Sequence, residues 1–180
     1  MDATTDLSKR ELKMYFLVMY NISPRQQGIQ AGHCVEEYSD KYHDTELYKE
    51  YRKFKTWIVL NGGTSNDGVV LDDSSQEWWT VEINLGSMEL YEKYLIENKI
   101  PYAYFHEPDL NYSLSSLCFI CDNKVFDWVN YPTFEKWIQL NPSNDEVPLN
   151  MDEKYNQWVE FVGGEQNAKL KELIYGKKLA

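Results

Sequence analysis

The sequence predicts an α/β domain, a mixed β-sheet flanked by helices, with a helical C-terminal appendage. Three observations carry this. Apolar, β-branched or aromatic runs of strand length recur at 14–20, 56–60, 78–85, 102–106 and 116–121. Helical periods with start signals lie between them. From residue 123 onward the strand-like runs stop, and Pro132, Pro142 and Pro148 cut the chain into short pieces. The expected organisation is a lead-in at 1–13, an α/β domain at 14–122 and a helical extension at 123–180 packed on it.

Residues 14–20 (MYFLVMY) form a continuous apolar run, the pattern of a strand buried on both faces. Ser23 as N-cap, Pro24 as first helical residue and Gln26 as the third form a capping box, so a helix starts at Pro24. On it, Ala31, Cys34, Val35 and Tyr38 follow the 3.6-residue period and should face a core. Gln26, Gln30, His33 and Glu37 form a separate polar stripe. Gly28 and Gly32 each cost about 1 kcal/mol relative to Ala inside a helix, which points to close packing on the sheet or close approach of a ligand.

Residues 45–55 read as a second helix and 56–60 (TWIVL) as a strand ending in Asn61-Gly62-Gly63. A loop or hairpin covers 62–76, followed by an alternating strand at 78–85. Ser87 is placed to cap a helix running to Asn98. Pro101 opens a strand at 102–106, the loop 107–112 follows, and 116–121 (SLCFIC) is the last strand. In the extension, Phe134, Trp137 and Ile138 mark a short helix. Asn150 and Glu153 make a capping box before the stripe Tyr155, Trp158, Val159, Val162, and Gly163-Gly164 stops that helix. Leu170, Leu173 and Ile174 mark the last one. The aromatic face of this extension is a candidate protein-partner surface.

Composition narrows the class. Hydrophobic residues at 43% and charged residues at 26% fit a folded chain and exclude a disordered one. No apolar run reaches 18 residues, so no membrane helix is expected. The polar start is not a secretory signal, and three cysteines, Cys34, Cys118 and Cys121, which cannot all pair within one chain, fit a reducing, cytoplasmic compartment. Cys118 and Cys121 have C-x-x-C spacing but no second pair to complete a metal site. Net charge is −11, opposed to the basic face that a polyanion needs.

Residues 14–121 resemble the type II peptidyl-tRNA hydrolases. Gln30-Ala31-Gly32-His33-Cys34 is similar to that family's Gln-x-x-His-Ala signature. The strand at 79–85, the helix after it and the strand at 102–106 follow the family's order. Glu107-Pro108-Asp109 stands where the family has an Asp-Ala-Gly loop, and Ser115-Ser116-Leu117 stands for its Ser-x-Thr-Val. The resemblance implies cleavage of the ester joining a peptide to tRNA, which needs a water activator, oxyanion donors and a basic track. It assigns His33, Asp109, Glu107 and Ser116 to catalysis, and Gln26, Gln30, Asn111 and Ser115 to substrate binding. It implies no metal and no cofactor. Two departures stand out. Gln26 replaces the family's lysine, and Asn111-Tyr112 replaces an Arg-Thr pair.

Two functions remain open on the sequence. One is a hydrolase of peptidyl-tRNA or a related acyl ester. The other is a catalytically inactive descendant that binds a protein or small ligand. A homodimer is compatible with either.

Overall fold

The computed structural model describes residues 11–65, 86–142 and 150–180. The strand expected at 78–85, most of the loop expected at 62–76, Pro148 and most of the lead-in lie outside the described residues.

Strands β1 (Leu12–Met19), β2 (Thr56–Gly63), β3 (Tyr102–Glu107) and β4 (Ser113–Asp122) form one mixed sheet in the order β2-β1-β4-β3. β1 and β2 are parallel, and β4 runs antiparallel to both of its neighbours. The C-terminal ends of β1, β2 and β3 therefore lie at one end of the sheet, with the start of β4. Helices α1 (Pro24–Tyr42) and α2 (Glu46–Tyr51) cover one face. Helices α3 (Ser87–Glu97) and α7 (Glu165–Ile174) cover the other. Between them in sequence lie α4 (Asn123–Phe126), α5 (Phe134–Leu140) and α6 (Met151–Phe161).

β1 explains the two-sided core. Its side chains alternate, so Met14, Phe16 and Val18 meet Ala31, Cys34 and Tyr38 of α1, while Tyr15, Leu17 and Met19 join Leu95 of α3 and Leu173 of α7. The same alternation on β4 separates the C-x-x-C pair. Cys118 lies in the α1-side core and Cys121 in the opposite one, so the two thiols cannot share a metal. Burial pushes both thiols well above their ordinary range.

α7 is part of this second core, with Leu170, Leu173 and Ile174 buried against the sheet. Lys171 beside them is only 1% exposed. Its Nζ donates to the carbonyls of Lys124 (3.0 Å) and Val125 (2.8 Å) and lies 4.0 Å from the centre of the Trp128 ring. It thereby satisfies carbonyls in the short α4 turn that intrahelical bonds cannot reach. The extension's aromatics Phe134, Tyr155 and Trp158 pack on one another at 5.2–5.6 Å, and Trp158 Nε1 donates to Pro132 O at 3.0 Å.

Several local expectations are corrected. The second helix ends at Tyr51, because the chain turns and Lys55 takes a left-handed φ of 54°. Ser87 does not cap α3. Gly86 holds the cap position, and Ser87 Oγ instead donates to Gly62 O (2.8 Å) and accepts from Thr64 N (2.9 Å), tying α3 to the end of β2. β4 begins at Ser113, earlier than expected. Gly28 and Gly32 meet no other segment, since a Cβ at either would face open space among the described residues. The close approach falls at Gly62, where a Cβ would crowd Met88 Sδ and lie 3.0 Å from Val18 N. Gly28→Ala and Gly32→Ala are therefore expected to stabilise the chain by up to about 1 kcal/mol each, read as higher melting temperatures.

Candidate functional site

The polar end of α1 meets the end of β3 and the start of β4. The N-terminal half of α1 is fixed by its capping box. Ser23 N and Oγ both donate to Gln26 Oε1 (3.0 and 2.8 Å), and Gln26 N donates to Ser23 Oγ at 3.3 Å. This commits the Gln26 side chain to the helix start. It also uses a first-turn amide that an oxyanion would need.

One turn on, Gln30 is 3% exposed. Its Nε2 donates to Glu107 Oε2, and its Oε1 accepts from Ser115 Oγ at 2.7 Å. Ser115 Oγ also lies 3.0 Å from Phe105 O. The second carboxylate oxygen of Glu107 accepts from Asp109 N at 3.3 Å. Each oxygen of this half-buried carboxylate thus accepts one hydrogen bond from the protein. Gln30, Glu107 and Ser115 form a network across three elements, from residues far apart in sequence.

A β-bulge aims Ser115 at Gln30. Phe105 pairs with Ser116 while His106 pairs with Leu114, so Ser115 is the extra residue on β4. Ser116 has the parity of Cys118 and Ile120 and pairs with Val18, which places it on the α1 side. Its hydroxyl is fully enclosed and has no hydrogen-bond partner among the described residues. An enclosed hydroxyl cannot reach a substrate's oxyanion, so the oxyanion role expected for Ser116 does not fit its position.

The other expected residues do not join the network. His33 is exposed, and its ring stacks on Phe105 with centroids 4.5 Å apart and planes at 19°. It makes no hydrogen bond or ion pair among the described residues. Asp109 is exposed within a single 3-10 turn, Pro108–Leu110, and contributes its backbone amide rather than its carboxylate. Asn111 ends that turn in the left-handed region (φ 52°) and is exposed, so its role there is backbone geometry. His106 turns away from the network, with Nδ1 2.7 Å from Tyr112 O and its ring edge-on to Tyr104.

Sequence reasoning missed Gln27, Phe105 and Lys171. Gln27 is buried and donates through Nε2 to Met19 O at 3.2 Å, pinning the helix start to the end of β1. A signal for two of them exists. Gln27 continues the buried stripe Ala31, Cys34, Tyr38 at helical steps, and Lys171 shares its face with the buried Ala168 and Ile174.

The two basic clusters of the sequence, Lys49 to Lys55 and Lys169 to Lys178, lie away from this end. Arg52, Lys53 and Lys55 follow α2 and lead into Thr56, which pairs with Lys13 at the start of β1. That is the opposite end of the sheet, about 25 Å away for an eight-residue strand. In the second cluster, Lys171 is buried, Lys169 pairs with Glu172 at 3.3 Å, and Lys177 sits over the Tyr91 ring at 3.6 Å. Lys178 lies against the outer edge of β2, with β1 and β4 between it and β3. Near the network itself α1 carries Arg25, and further along the helix lie the exposed Glu36, Glu37 and Asp40.

Among the described residues, no group of three or more His, Cys, Asp or Glu side chains could hold a metal ion, and no helix is long and apolar enough to cross a membrane. No protein-family model and no curated protein matches the chain.

Proposed function

We propose that this chain is a non-catalytic binding module built on an α/β scaffold that resembles the type II peptidyl-tRNA hydrolases. The observation that carries the reading is the closed network at Gln30, Glu107 and Ser115. A carboxylate base must be held where it faces a water beside the substrate. Each oxygen of Glu107 is turned instead to a protein donor, Gln30 Nε2 for one and Asp109 N for the other.

Charge supports the same reading. tRNA binding rests on cations along the phosphate track, and it weakens with every phosphate that lacks one. Here the lysine of the resembling family is a glutamine locked in a helix cap, and the Arg52–Lys55 cluster lies at the opposite end of the sheet. A net charge of −11 adds repulsion. Hydrolysis of a peptidyl-tRNA mimic tests the proposal. The expected result is release at the buffer's background rate, the same for wild type and Glu107→Ala. Release well above background that disappears in Glu107→Ala would overturn it.

A further inference from the structure

Beside the network, an open groove of about 650 Å³ runs between α1 and β3. Glu37, Asp40 and Lys41 line its helical wall, and Tyr104, His106 and Tyr112 line the other. We infer that this groove binds an extended polypeptide segment with basic residues at alternate positions, laid along the outer edge of β3. The inference rests on the binding-module reading above and names its partner.

Three observations carry it. First, β3 pairs only with β4 among the described residues, and none of them forms a ladder with its other edge. Such an edge accepts an added strand, with main-chain bonds giving affinity and side-chain contacts giving selectivity. Lys41 Nζ reaches Tyr102 O at 3.4 Å and guards only the start of that edge.

Second, the helical wall sets two carboxylates against one cation, Lys41, whose Nζ is turned to Tyr102 O. Glu37 and Asp40 are exposed and make no ion pair among the described residues. They lie three residues apart on α1, about 5 Å along its axis. Alternate side chains of an extended peptide are about 6.6 Å apart, so two basic residues flanking one other residue would each meet a carboxylate. The same charges repel a phosphate backbone, which selects polypeptide over nucleic acid.

Third, the opposite wall offers ring surface. Tyr104 is 44% exposed and Tyr112 70% exposed. Tyrosine faces attract lysine and arginine as well as apolar stems. The groove also includes Phe105, whose ring stacks on His33 and whose carbonyl lies 3.0 Å from Ser115 Oγ of the network.

Fluorescence anisotropy with three labelled hexapeptides tests this on the full chain. The first alternates lysine and valine, the second alternates glutamate and valine, and the third is the lysine peptide with alternate backbone amides methylated. Wild type is expected to bind the lysine peptide at least tenfold more tightly than either of the others. Glu37→Lys combined with Asp40→Lys, at exposed helix positions, should weaken the lysine peptide at least tenfold with little change in melting temperature. Equal binding of the lysine and glutamate peptides, no loss on charge reversal, or undiminished binding of the methylated peptide would each overturn the inference. Absence of peptide binding together with background hydrolysis would remove the groove's partner and leave the binding-module reading in place. Robust hydrolysis would remove that reading whatever the peptides do.

Discussion

Lys171→Ala is expected to lower the melting temperature by about 6–12 °C, corresponding to about 3 kcal/mol or more in a chain of this size. The side chain is almost fully enclosed, and its nitrogen satisfies two carbonyls of α4. Truncation leaves those acceptors without a donor, at about 1–3 kcal/mol each where buried, and opens a cavity along the removed stem. Lys171→Met keeps most of the stem and should lose less. The pH dependence has a definite sign. Burial pushes the Lys171 pKa down to about 8, against the opposing pull of Asp127 and Asp122. In the unfolded chain a lysine holds its proton to about 10.4. Between these values the unfolded chain binds more protons, so rising pH stabilises the fold through this group. The neutral amine still has two N–H donors for its two carbonyls. The stability difference between wild type and Lys171→Met should therefore shift in favour of wild type from pH 7 to pH 10. Taking the difference cancels titration of the buried thiols and tyrosines, which works in the opposite direction. Thermal melts of both proteins across that range check the sign.

Gln30→Ala is the second large effect expected, about 2–3 kcal/mol. A hydrogen bond to a charged group contributes about 1.5–3 kcal/mol, and Gln30 supplies one to Glu107 while accepting from Ser115. Removing it leaves Glu107 with only Asp109 N and detaches α1 from the bulge on β4. Ser115 loses less, because Phe105 O remains as its acceptor. A double-mutant cycle with Glu107→Ala isolates the pair, and a coupling below about 0.5 kcal/mol would show that the two side chains do not act together.

Locally determined features are legible in the sequence. The start of α1 is readable because Ser23, Pro24 and Gln26 cap it through neighbours three residues away. The strands at 14–20 and 116–121 are readable because burial on two faces leaves continuous apolar runs, and the one at 102–106 because Pro101 opens a short aromatic run. The site is legible only in part. Gln30, Glu107 and Ser115 all stand among the candidates, yet their bonds span 77 and 85 residues, and no local pattern sets such a pairing. The bulge that aims Ser115 depends on the register between β3 and β4, which also has no local signature. His33 shares a helical stripe with Gln30, which groups it with the carboxylates on sequence alone. A step of three residues rotates it far enough to meet the Phe105 ring instead. Lys171 is hidden in a basic run, where charge suggests solvent although its helical face points inward.

The central claim is that hydrogen bonds close the Glu107 site and that a missing cation is not all it lacks. Peptide release from a peptidyl-tRNA mimic by Gln26→Lys, measured beside wild type, tests this most directly. The expected result is background release from both, with a slightly lower melting temperature for the variant as the capping box is lost. A hundredfold gain in Gln26→Lys that vanishes when Glu107→Ala is added would contradict it, since it would mean that one charge suffices to run the chemistry.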